Sequence, residues 1–79
     1  MPKYYFHLFN SETIRDGEGE DIADVAAAMA SAEKMARGMA AQSVRDEGRL
    51  TLHHRIEVAD ESGQTVGTVR FGDVVQIHD

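Results

Sequence analysis

The spacing of apolar and polar residues changes twice along the chain. Between Asp24 and Gly48, apolar residues recur at three- and four-residue intervals, which is typical of an amphipathic helix. Asp24 is the predicted N-cap, with Asp21 as the other candidate, and Gly48 is the predicted C-terminal stop because glycine readily adopts the left-handed conformation. The residues expected on the buried face are Val25, Met29, Ala32, Ala36, Met39, Ala40 and Ser43, widened by Ala28 and Met35.

The segments before and after this helix show a two-residue alternation of side chains, which predicts β-strands. Residues 3–10 read as a central strand, and residues 13–16 can return beside it as a short second strand. Residues 54–59 and 65–71 predict a C-terminal hairpin around the turn at residues 60–63. In the first strand, one face carries Tyr4, Phe6 and Leu8, and the other carries Tyr5, His7 and Phe9.

These elements predict a single α+β domain over residues 1–79, in the order β-β-α-β-β, with one long helix packed on one face of a small antiparallel sheet. One helix cannot cover both faces of that sheet. The side chains of Tyr5, His7 and Phe9 are therefore expected to be exposed to solvent, or to be covered by the C-terminal tail at residues 74–79 or by a second subunit.

Composition narrows the classes of partner. Fourteen acidic and eight basic residues give a net charge of −6, and no cluster of lysine and arginine offsets it. Nucleic acid and anionic membrane surfaces are thus not expected as partners. The chain has no cysteine and no apolar run approaching the roughly 18 residues that span a bilayer. We expect a soluble, cytoplasmic protein.

Candidate chemistry is sparse. The acidic loop at residues 16–21 fails the calcium-loop pattern, because Asp21 and Ala27 stand where a glycine and a bidentate glutamate are needed. No histidine pair has metal-ligand spacing, and no serine lies in a nucleophile motif. We therefore assign no catalytic, cofactor or metal residues and expect no enzyme. The alternative is a small-ligand or metal-binding domain that uses His7, His54 and the acidic loop.

Self-association is a further expectation, because a domain of 79 residues buries only about 60–65% of its unfolded surface. Two surfaces could serve a homodimer. One is the face of the sheet that carries Tyr5, His7 and Phe9. The other is a helical line of small residues, Ala27, Ser31, Gly38 and Ala41.

The opening residues, Met1-Pro2-Lys3-Tyr4-Tyr5-Phe6-His7, resemble a family of short, uncharacterised, mostly alphaproteobacterial proteins that begin M-P-[KR]-Y-[YF]-F-H. The resemblance continues through Asp16-Gly17-Glu18-Gly19, the alanine-rich helix from Asp24, residues 56–63 and residues 69–73. The family has no established activity, so the resemblance implies no catalytic residues. The leading hypothesis is a non-enzymatic interaction or regulatory module that forms a homodimer and binds another protein.

Overall fold

Five strands and two helices make up the fold in a computed structural model that describes all 79 residues. The elements are β1 (Lys3–Phe9), β2 (Thr13–Ile14), β3 (Glu20–Asp21), α1 (Val25–Glu47), β4 (Arg55–Ala59), β5 (Thr65–Arg70) and α2 (Phe71–Val74). The α+β class and the single long helix on one face of an antiparallel sheet are confirmed. The two-residue strand β3 and the short helix α2 were not predicted.

The sheet is antiparallel throughout, in the order β2-β1-β4-β5. β4 pairs with five of the seven residues of β1, from the pair Tyr5 and Ala59 to the pair Phe9 and Arg55. The opposite edge of β1 is shared by two short strands, with β2 beside Leu8 and Phe9, and β3 beside Lys3 and Tyr4. β2 and β3 are thus two parts of one interrupted edge strand.

Helix α1 has the predicted ends. The Oδ1 atom of Asp24 accepts a hydrogen bond from the amide of Ala27 at 2.8 Å, which satisfies one free donor of the first turn. Gly48 ends the helix in the left-handed conformation with φ 65°. Asp21, the other candidate N-cap, lies in β3 instead.

The buried face of α1 is an alanine stripe that lies within the predicted face. The residues that are almost wholly buried stand four apart: Ala28, Ala32, Ala36 and Ala40. Val25 and Met39, also expected on the buried face, are instead 40% and 36% exposed. Methyl side chains let the helix backbone approach the sheet closely, so longer side chains are displaced to the flanks.

The core lies between this stripe and one face of the sheet. The residues on the sheet side include Tyr4, Ile56, Val58, Val69 and Phe71, with Phe6 and Leu8 partly buried beside them. The C-terminal segment joins the same side, because the carbonyl of Val74 accepts a hydrogen bond from Arg37 Nε at 3.1 Å. The tail therefore does not cover the opposite face of the sheet.

Replacing Gly38 with alanine is expected to raise the free energy of unfolding by about 0.5–1 kcal/mol, because alanine is the better helix former. Gly38 is exposed on α1, and a Cβ atom added there meets no atom within 4 Å. Urea denaturation followed by circular dichroism measures the change. Gly48→Ala is the control with the opposite sign, since its φ of 65° disfavours alanine by roughly 1 kcal/mol. A loss of stability in Gly38→Ala would indicate that something packs against this surface.

Candidate functional site: the outer face of the sheet

The face of the sheet that points away from α1, here called the outer face, carries a row of rings along β1. Tyr5, His7 and Phe9 alternate with the inward-facing residues of that strand and are each only partly exposed. The rings of Tyr5 and His7 stack with their centroids 6.5 Å apart and an interplanar angle of 11°. No helix or strand lies over this row. This confirms that the three residues share a face and shows that the C-terminal tail does not cover them.

β4 places a charged residue or a small one opposite each ring. Arg55 lies opposite Phe9, and its guanidinium carbon stands 4.3 Å from the centre of the phenyl ring. Glu57 lies opposite His7, and its Oε2 atom accepts a hydrogen bond from Arg55 Nε at 2.9 Å. Contact with a cation stabilises an exposed aromatic face by roughly 0.5–1 kcal/mol. The outer face is thus a mixed aromatic and charged surface.

Positive charge is concentrated at the Phe9 end of the outer face. Arg15 lies 5.9 Å from the Phe9 ring, and Arg70 on β5 is the cross-strand neighbour of Arg55. Of these three arginines, only Arg55 has a carboxylate within 4.0 Å. We call this group, Arg15, Arg55 and Arg70, the cationic end. It holds three of the eight basic residues of a chain whose net charge is −6.

Negative charge is concentrated at the other end of the same face, beyond Tyr5. Glu18 lies in the bend between β2 and β3, and Asp21 lies in β3. Asp60 and Glu61 begin the turn that follows β4. Glu61 accepts a hydrogen bond from the amide of Lys3. The hydroxyl of Ser62 donates to Asp60, which holds the pKa of that carboxyl below its usual value. Lys3 lies at the same end, with its Nζ atom 4.0 Å from Asp21 Oδ1, so four negative charges and one positive charge give a net charge of −3 there. We call the four carboxylates, Glu18, Asp21, Asp60 and Glu61, the acidic end.

Comparison with known proteins identifies the family. The family model DUF6894, a domain of unknown function, matches residues 3–72. The chain belongs to the DUF6894 family. The match confirms the resemblance to an uncharacterised family that the opening residues indicate. No curated protein and no solved structure matches this chain.

The acidic loop of this DUF6894 domain contributes hydrogen-bond acceptors to the edge of the sheet. The Asp16 carboxylate fills the gap between β2 and β3, where it accepts hydrogen bonds from the amides of Phe6, Glu18 and Gly19 at 3.0–3.1 Å. The amide of Asp16 donates to His7 Nδ1 at 3.0 Å. Burial acts to raise the pKa of Asp16, but the three amides together outweigh it and leave the pKa below its usual value.

The residues of the alternative metal-site hypothesis do not meet. His7 and Asp16 are in contact, but His54 lies on the opposite face of the sheet, with its ring 5.7 Å from that of the core residue Phe71. No three side chains of histidine, aspartate or glutamate converge where they could hold a metal ion. The oxygens of Asp16 already accept hydrogen bonds from main-chain amides, so this carboxylate has a structural role in the loop.

A polar cleft of ≈ 620 Å³ was not predicted from the sequence. It lies between the C-terminal half of α1 and the turn after β1, and its lining includes Asn10, Ser43, Glu47, Arg49 and His54. Burial lowers the pKa of His54, and the neighbouring His53 and Arg49 lower it further. The cleft is lined by residues more than 30 positions apart in the sequence, so no local motif predicts it.

The helices of the structure do not qualify as membrane spans, since none combines sufficient length with sufficient apolar character.

Proposed function

We propose that this DUF6894 protein is a non-enzymatic protein-interaction module that forms a homodimer through the outer face of its sheet. One observation carries the proposal: a central strand presents three aromatic rings, Tyr5, His7 and Phe9, on a face that no other element covers. An antiparallel sheet with one face in water normally places polar residues there. A row of rings is instead typical of a surface that another protein layer covers.

The helical line of small residues is the weaker candidate for the same role. Ala27, Gly38 and Ala41 are exposed, and the space around Gly38 is open. Methyl groups bury little area, whereas each aromatic ring can bury about 150–250 Å². The outer face of the sheet therefore offers the larger hydrophobic stabilisation per residue.

The size of the outer face indicates how tightly two copies of the chain are expected to bind each other. β1 spans seven residues, or about 23 Å, and four neighbouring strands span roughly 19 Å. The flat area is thus on the order of 440 Å² per copy, below the roughly 800 Å² of a standard interface. We expect a dissociation constant in the micromolar range, so the monomer and dimer would exchange at ordinary working concentrations.

The non-enzymatic part of the proposal is supported by the hydrogen bonds that the polar side chains of this region already make within the fold. His7 Nδ1 and both carboxylate oxygens of Asp16 accept hydrogen bonds from main-chain amides. These groups therefore complete the edge of the sheet, which is a structural role. The absence of cysteine suits a reducing compartment, and we propose the bacterial cytoplasm as the location.

Sedimentation equilibrium from about 1 to 200 µM, a range that brackets the expected affinity, tests the proposal. The apparent mass is expected to rise from 8.7 kDa toward twice that value. The double variant Tyr5→Thr/Phe9→Thr removes both rings but introduces β-branched residues, which strands also favour, and is expected to weaken association at least about tenfold.

Ala41→Glu is the matched control, because it alters the helical line and leaves the sheet untouched. It is expected to dimerise as the wild type does. If Ala41→Glu abolishes the dimer while the double variant preserves it, the interface lies on the helix. A wild-type chain that stays at 8.7 kDa throughout the range contradicts self-association through either surface.

A further inference from the structure

The two ends of the outer face differ in charge, because its basic and acidic side chains are separated along the strands. The cationic end surrounds Phe9, and the acidic end lies beyond Tyr5. Phe9 and Tyr5 are four residues apart on β1, which corresponds to roughly 13 Å. A surface with opposite charges at its two ends distinguishes between the orientations in which a second copy can approach.

The cationic end is not balanced within one copy. Arg55 and Arg70 are directly opposite each other on β4 and β5, and like charges at such positions are destabilising. Glu57 neutralises Arg55, but neither Arg15 nor Arg70 has a carboxylate within 4.0 Å. Arg15, which lies beside the Phe9 ring, and Arg70 on β5 thus lack a carboxylate partner in the monomer.

Two orientations are compatible with a closed dimer of aligned sheets. The twofold axis must lie in the plane of the interface, and strands of packed sheets stay within about 30° of each other. An axis parallel to the strands would place the cationic end of one copy on the cationic end of the other. An axis across the strands places each cationic end on the acidic end of its partner.

We propose the second orientation: two copies pack their outer faces with their strands antiparallel, so that the cationic end of each copy binds the acidic end of the other. The inference rests on the proposed self-association and specifies its geometry. Phe9 and the arginines of the cationic end then lie against the turn after β4 and the interrupted edge strand of the partner. The contact between a cationic end and an acidic end therefore forms twice, once on each side of the axis.

Charge reversal at each end tests the orientation. The variant Arg15→Glu/Arg70→Glu leaves two glutamates and one arginine at the cationic end, a net charge of −1. The variant Glu18→Lys/Glu61→Lys leaves three lysines, including Lys3, and two aspartates at the acidic end, a net charge of +1. All four positions are exposed. Each variant alone is expected to associate at least about tenfold more weakly than the wild type, because the facing ends then carry net charges of the same sign. A 1:1 mixture is expected to form heterodimers within about threefold of the wild-type affinity, since the facing ends again carry net charges of opposite sign.

Heterodimers are measured by fluorescence energy transfer between differently labelled variants at low salt, and thermal unfolding of each variant checks that it is folded. Restoration in the mixture supports the orientation, because a merely misfolded variant would not recover affinity on mixing. A wild-type dimer that both variants leave unchanged, or that the mixture does not restore, overturns the orientation while self-association stands. A monomeric wild type is a different result, which overturns the proposed function itself.

Discussion

Replacing Ala36 with leucine is expected to lower the free energy of unfolding by about 3 kcal/mol, at the upper end of the range for overpacked cores. Ala36 is fully buried in the alanine stripe and belongs to the core cluster formed with the sheet. Three additional carbon atoms can be placed there only if the helix moves away from Ile56 and Val58, which are themselves fully buried. Interiors packed at crystal density do not accommodate such a volume without strain.

A loss of this size is large for a chain of 79 residues, whose total stability is expected to be about 4–12 kcal/mol. Urea denaturation at a concentration below the expected dimer dissociation constant measures it without a contribution from association. Ala41→Leu is the matched control, since it makes the same change at an exposed position of the same helix. The control is expected to alter stability by no more than about 0.5 kcal/mol. Equal effects in the two variants would contradict the position of the alanine stripe.

The parts of the fold that follow from local sequence were predictable. Both ends of α1 depend on contacts within three or four residues, namely the Asp24 cap and the left-handed Gly48, and both were read from the sequence. The faces of β1 follow from alternation alone, so the ring row of the candidate site was also predictable. The period of the helix also placed all four buried alanines on the predicted face. It wrongly included Val25 and Met39, because the pattern does not show where contact between the helix and the sheet ends.

The parts that depend on distant residues were not predictable. The facing of Arg55 and Arg70 requires the exact pairing of β4 with β5, including the irregularity at Val58 and Ala59. A slip of one residue would have moved one arginine to the other face. The role of Asp16 depends on a hydrogen bond to Phe6, ten residues earlier, in place of a backbone partner. A run of acidic and glycine residues looks the same in sequence whether its carboxylates point to solvent or to an edge of the sheet.

Replacing Asp16 with alanine is expected to lower the free energy of unfolding by about 2 kcal/mol. Its carboxylate is the acceptor for three amides, those of Phe6, Glu18 and Gly19, in the gap between β2 and β3. The loop is partly exposed, so water can replace some of these bonds, which keeps the loss below that of three fully buried donors. Glu18→Ala is the control within the same loop, because the side chain of Glu18 makes no hydrogen bond, and we expect it to change stability by less than about 0.5 kcal/mol.

The same carboxylate predicts how stability depends on pH. The pKa of Asp16 is lower in the folded chain than its ordinary value of 3.8, so its ionised form is favoured by folding. The stabilisation is therefore complete above the ordinary value and is lost as the pH falls below 3.8 and through the lower folded pKa. The difference in unfolding free energy between the wild type and Asp16→Asn is expected to be constant from about pH 5 to 7 and to shrink toward about pH 3. Urea titrations at these pH values measure the difference. A difference that stays constant down to pH 3 would show that the charge of Asp16 does not stabilise the interrupted edge, and that hydrogen-bond geometry alone accounts for its effect.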